Sequence, residues 1–354
     1  MTTRLPEVSL SLTGSFSTSA WKFWGGALAT NGKIYMAPFT TSQTAIGVLD
    51  PSTDVLDVTT LQIPDFATDS QWAGAVAGRN GKVYFIPYFA NYVLMLNTSN
   101  NSISRIGPSL SAAGTYGSKW VGGVLALDGC IYGAPIRAPY ILKIDTSTDA
   151  VSMIPHTTFT GSVQTVLNSG SFNFRGATLG ADGMVYFVPA VSSFVVRFNP
   201  VTVTATAISV TGNTWQGGVL AQNGNIYCMP ENSTSILVIY TSPTDPLYGT
   251  VSYISTSLTT AGNKYAGGTL APNGKIYAFP SSNPTHLLVL DPSNNSVSLT
   301  SLGATFSGSF WGSVLAPNGK VYGVPAMSGQ LGVLTVKGLN NIGTWMFSPE
   351  MNKF

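Results

Sequence analysis

Two histidines, three glutamates and two cysteines are the side chains of this chain with the widest chemical repertoire. Their spacing decides what each could do. Neither His156 nor His286 has a second histidine or a carboxylate at metal-ligand spacing, and each falls between predicted strands, where a solvated loop histidine is expected. Glu7, Glu231 and Glu350 do not recur in any pattern. A glycosidase needs two convergent carboxylates flanking the scissile bond. Asp50, Asp145 and Asp291 stand in Asp-Pro-Ser or Asp-Thr-Ser turns, where an aspartate caps its own backbone. Asp128 and Asp182 belong to Asp-Gly hairpins, and the "DPSTD" and "DTSTD" stretches lack the terminal glutamate of a calcium loop. No phosphate-binding or nucleophile-elbow motif occurs in the required strand–helix context. Cys130 and Cys228 are predicted to lie a whole blade apart, too far for a disulfide, and are expected as free thiols. The expectation is therefore a protein with no catalytic residues, no metal and no cofactor.

Composition narrows the class further. Charged residues are 8% of the chain, against roughly 25% in ordinary globular proteins, while hydrophobic residues are 44%. Ser, Thr, Asn and Gly replace the missing charge. A net charge of +2 without a Lys/Arg cluster argues against nucleic acid as a partner. Apolar runs such as "YVLML" at Tyr92–Leu96 are strand-sized, so membrane insertion is not expected. "MTTRLPEVSL" lacks the apolar region of a secretory signal. The sequons at Asn97, Asn100, Asn232 and Asn294 accordingly read as polar turns. These features suit a virion or extracellular surface reached without a signal peptide, with the cytoplasm as the alternative.

Any such chemistry must be held by the elements, and those repeat. "WGGALATNGKIYMAP" at Trp24–Pro38 returns as "WAGAVAGRNGKVYFIP" from Trp72, "WVGGVLALDGCIYGAP" from Trp120 and "FRGATLGADGMVYFVP" from Phe174. It returns again as "WQGGVLAQNGNIYCMP" from Trp215, "YAGGTLAPNGKIYAFP" from Tyr265 and "WGSVLAPNGKVYGVP" from Trp311. The tyrosines at 35, 84, 132, 186, 227, 277 and 322 mark successive spacings of 49, 48, 54, 41, 50 and 45 residues. Each copy is followed by an apolar run ending in a Pro/Asx turn, such as "VLDPSTD" from Val48, and then by a short alternating segment. One unit thus reads as strand a, an Asn-Gly or Asp-Gly hairpin of type I′, strand b, a loop, strand c, a turn and strand d. Over about residues 7–337 the pattern W-x-G-G-x-L-A-x-N-G-K-I-Y-x-x-P resembles a seven-bladed β-propeller repeat protein. The resemblance implies an all-β fold of four-stranded antiparallel blades and names no functional family. After "VLTV" at Val333 the seventh unit lacks a fourth strand, and "EVSLSLTGSFS" from Glu7 matches the missing one, so the N-terminal strand is predicted to close the last blade. Residues 1–337 form one propeller in this reading, and 338–354 a C-terminal extension.

The glycine pairs, Gly25-Gly26 among them, are expected where seven first strands crowd the axis, and the aromatic before each pair is expected between neighbouring blades. Function is sought in what does not repeat. The longest d-to-a connection, Ser152–Phe174, contains His156; the c–d turn Thr241–Thr250 contains Tyr248; the b–c loop Ile136–Tyr140 presents Arg137 and Tyr140; and the tail carries Trp345 and Phe347. These six residues are the binding candidates. The combination points to a non-enzymatic recognition or structural module, foremost a virus or phage spike, fibre head or decoration protein that binds surface glycan or protein partners within a larger assembly. The alternatives are a propeller polysaccharide lyase or hydrolase with a channel-mouth site, and an intracellular interaction scaffold.

Overall fold

A computed structural model describes residues 8–16, 21–40, 42–64, 71–114, 117–212, 214–259, 262–282, 286–302 and 308–336. Trp345 and Phe347, and the whole extension 338–354, lie outside these residues. Seven four-stranded antiparallel sheets form the blades. In blade 1 strand a is Phe23–Leu28, b is Ile34–Pro38, c is Ala45–Asp50 and d is Val55–Gln62. The seventh blade is closed by the N-terminal strand: Val8–Thr13 pairs with strand c, Leu331–Val336, from Val8↔Val336 to Thr13↔Leu331. The two ends of the chain therefore share one sheet, as the "EVSLSLT" segment predicts.

Between each pair of blades lies one apolar cluster, and each contains a single aromatic from the first residue of strand a or its equivalent. Trp72 packs with Tyr35 and Ile46 of blade 1, Trp120 with Tyr84 and Ile86 of blade 2, and Phe310 with Tyr277 and Phe279 of blade 6. The tryptophans satisfy their indole N–H groups without leaving the core: Trp72, Trp120 and Trp215 donate to the carbonyls of Tyr92, Tyr140 and Ser235 at 2.7–3.0 Å. Blades 1 and 7 depart from the register expected of them. There the inter-blade aromatics are Phe23 and Phe310, which face the strand-b prolines Pro38 and Pro325. Trp24 and Trp311 stand one residue later.

In both blades the tryptophan occupies the position that Ala, Val, Arg or Gln fills elsewhere, just before a β-bulge. Just after the aromatic, two residues of strand a are set against one of strand b, as between Phe23↔Pro38 and Gly26↔Met36. The residue at the kink is glycine in every blade, from Gly25 to Gly312, with φ between 67° and 116°. Crowding adds to this requirement: a Cβ on Gly74 would stand 2.8 Å from the Gly122 Cα, and one on Gly122 would stand 3.1 Å from the Gly176 Cα.

The a–b hairpins also differ from the expected type I′ turn, which needs two residues of positive φ. Gly32 has φ 79°, but Asn31 does not enter that region. The Gly32 N–H donates to the Ala29 carbonyl (3.0 Å) and the Ala29 N–H to the Lys33 carbonyl (2.9 Å), a type I turn with a left-handed glycine after it. The Asn31 amide is then free to donate to the Tyr35 hydroxyl (2.9 Å), a bond repeated at Asn80–Tyr84, Asn223–Tyr227, Asn273–Tyr277 and Asn318–Tyr322. Asp50, Asp145 and Asp291 cap Ser52, Ser147 and Ser293, the turn-making role expected of them. Both cysteines are buried and free, and burial pushes the Cys130 thiol up to about 11.

Gly74→Ala is expected to cost about 2–4 kcal/mol, because it combines a left-handed residue with a backbone clash. Gly81→Ala, at φ 75° with nothing nearer than 3.7 Å, should cost only about 1 kcal/mol. Thermal melts of the two variants measure the difference.

Candidate functional site

The bulge turns the residue between the aromatic and the glycine toward the axis. Position by position around the ring this residue is Trp24, Ala73, Val121, Arg175, Gln216, Ala266 and Trp311. Five of them, Trp24, Ala73, Val121, Ala266 and Trp311, meet in one cluster with Ile136 and Ala326 although they come from different blades. They ring the channel mouth on the face that carries the d–a and b–c loops. A cavity of about 430 Å³ opens there.

Its two sides are unlike. Blades 7, 1 and 2 supply an aromatic wall: the Trp24 and Trp311 rings lie 4.2 Å apart at 66°, Trp21 meets Trp311 at 4.4 Å, and Phe39 meets Trp24 at 4.7 Å. Tyr88 and Phe89 extend it. Blades 4 and 5 supply a polar wall, with Arg175, Gln216 and Glu231. Glu231 follows strand-b Pro230 and is 4% exposed; its Oε1 accepts a hydrogen bond from Arg175 Nη1. Burial raises its carboxyl above the usual glutamate range, with the Arg175 charge opposing the rise.

Several buried polar atoms of these walls have no protein partner: Trp24 Nε1, Trp311 Nε1, Gln216 Nε2, Arg175 Nε and Glu231 Oε2. Buried polar groups are ordinarily satisfied, so their concentration around one cavity marks a place shaped for a polar occupant. Among the described residues no group of three or more His, Cys, Asp or Glu could hold a metal ion.

The candidates read from the loops fall in different places. Arg137 lies on the mouth face, with its guanidinium 3.8 Å from the centre of the Phe172 ring; Arg175 approaches the same ring at 5.9 Å. Tyr140 is not a loop residue but the first of strand c, half-buried against the core between blades 2 and 3. His156 is half-buried rather than solvated and begins a one-turn helix before a second short helix, Gly161–Leu167. His286, likewise, opens strand c of blade 6. Tyr248 lies on the opposite face, where its hydroxyl meets Arg197 and Asp182. Of the six candidates, none lines the cavity among the four that are described. Four of the residues that do line it, Trp24, Arg175, Gln216 and Trp311, were hidden inside the repeat, at the position before the bulge glycine where other blades carry Ala or Val.

No protein-family model matches the sequence, and no curated protein is significantly similar to it. Solved structures are similar in fold. A streptogramin B lyase superposes with a TM-score of 0.72 at 16% identity, over 93% of this chain and 98% of that one. A catalytically inactive virginiamycin B lyase from Staphylococcus aureus with quinupristin gives 0.72 at 14% identity, over 93% and 100%. The extracellular domain of a candidate hybrid two-component system from B. thetaiotaomicron gives 0.67 at 10% identity, over 93% of this chain and 42% of that one. At such identities the likeness is one of fold.

The raised Glu231 pKa has a measurable consequence. The unfolded chain releases this proton first, so stability from the protonated carboxyl is lost as pH rises from the ordinary glutamate range toward the folded value. As pH rises above the ordinary glutamate range, about pH 4, the melting temperature of the wild type should fall relative to that of Glu231→Gln. A relative gain would show that the Arg175 pair outweighs burial.

Proposed function

We propose that the chain is a non-enzymatic recognition module whose channel mouth takes a saccharide, serving at the surface of a virus or phage particle as a spike, fibre head or decoration protein. One observation carries the saccharide reading: the strand-a position before the bulge glycine, Ala or Val in three blades, is filled with tryptophan on one side of the axis and with Arg175 and Gln216 on the other. A pyranose presents an apolar C–H face and a rim of hydroxyls. An aromatic wall opposite unsatisfied donors and a carboxylate matches both. The particle setting is supported by the low-charge composition, which suits hydrogen-bonded contacts that salt screens little.

The Arg175–Glu231 pair favours a second reading, an enzyme at the same mouth. A buried carboxyl held above the usual glutamate range beside a guanidinium is suited to proton abstraction. Glycoside hydrolysis by a carboxylate pair is less well served, since Glu231 is the one acid of the described residues on this face.

Isothermal titration of the full chain with an oligosaccharide panel tests the first reading. Binding is expected, and Trp24→Ala or Trp311→Ala should weaken it at least about tenfold. No binding, or binding indifferent to both variants, overturns it. Accumulation of new chain ends during incubation with a bound polysaccharide selects the enzyme reading instead. Antibody labelling of intact particles tests the setting.

A further inference from the structure

We infer that the channel mouth selects saccharides bearing a carboxylate over their neutral counterparts, with the ring on the Trp24–Trp311 wall and the acid on the Arg175 side. The inference rests on the saccharide reading above and adds the ligand's charge.

Charge is divided between the two faces of the ring. Every described aspartate stands in or beside an a–b hairpin or a c–d turn, and all of these lie on the face away from the cavity. The mouth face carries Lys22, Lys119, Arg137, Arg175 and Lys264 against Glu231 alone among the described acids. Among the described residues, cations thus outnumber acids around this opening.

Three of these cations are built in rather than scattered. Lys22, Lys119 and Lys264 occupy the same repeat position, the residue before the inter-blade aromatic, and each is 2% exposed. The Lys119 ammonium donates to the carbonyls of Phe89 (2.9 Å), Ala90 (3.3 Å) and Gly117 (3.4 Å). Phe89, whose carbonyl accepts one of these bonds, itself lines the cavity. Burial also holds Lys22 and Lys264 below the usual lysine value.

The unsatisfied atoms point the same way. Trp24 Nε1, Trp311 Nε1, Gln216 Nε2 and Arg175 Nε are donors, and only Glu231 Oε2 accepts. A ligand that suits them is rich in acceptors, and a carboxylate is acceptor-only when ionised. Guanidinium binds carboxylate through paired, directional hydrogen bonds, which gives Arg175 the geometry to discriminate.

The test is calorimetric titration of the full chain with oligogalacturonate against its methyl ester, and sialyllactose against lactose, at low and at high salt. At least one carboxylate-bearing sugar should bind about tenfold or more tightly than its neutral partner, and salt should narrow the gap. Arg175→Gln/Glu231→Gln removes both charges of the ion pair together and should abolish the preference while neutral binding persists. Gln216→Glu, which leaves the ion pair intact, should do the same by placing a carboxylate in the cavity. Equal binding of acidic and neutral sugars would overturn this inference and leave the saccharide reading standing. Binding of no sugar would overturn both.

Discussion

Close approach of seven first strands at one axis is the constraint on which the rest of the molecule depends. It admits no side chain at the point of closest contact, so that residue is glycine, and its left-handed φ forces a bulge into every strand a. The bulge has two effects. It lets the ring close tightly, and it divides successive residues between two destinations. The aromatic before it enters the core between blades. The next residue turns to the channel mouth, where it meets its counterparts from the other blades.

Fold and site therefore use adjacent residues under different rules. The inter-blade position tolerates Trp, Phe or Tyr, because each cluster needs one large apolar body against the neighbouring sheet. Polar contacts on the opposite face reinforce the same joints. Tyr322 and Lys320 of blade 7 reach Asp54 of blade 1 at 2.5 Å, and Tyr227 of blade 5 reaches Asn295 of blade 6 at 3.0 Å. The mouth position carries no such duty. Alanine or valine suffices for packing, and the choice of Trp24, Trp311, Arg175 and Gln216 is open to be set by a ligand.

Much of the fold is legible in the chain because its determinants are local and repeated seven times. A tyrosine at nearly constant spacing, a glycine after each Asn or Asp turn, and an unmatched strand at each end together specify blade count and closure. The hairpin type was misread because Asn-Gly serves two turns; only the hydrogen bonds from Ala29 show that asparagine stays right-handed while glycine does not. The helix Gly161–Leu167 was missed because seven residues without a side-chain cap leave little periodic signal. Trp24 and Trp311 were assigned to the inter-blade core because a tryptophan before a glycine looks the same whichever way it faces.

An all-β ring of seven blades, its clasp between the first strand and the last sheet, its free thiols and its aspartate turns can all be read from the residue order. Each follows from residues near one another or from a pattern that needs no third dimension to count. Where the molecule offers a site emerges with the closed ring. Trp311, Trp24, Arg175 and Glu231 belong to four different blades, and they share a cavity because ring closure carries them to one axis. A one-residue bulge then settles which side chain of each strand looks into it. Periodicity records how often a residue type returns, whereas a site depends on where the exceptions converge.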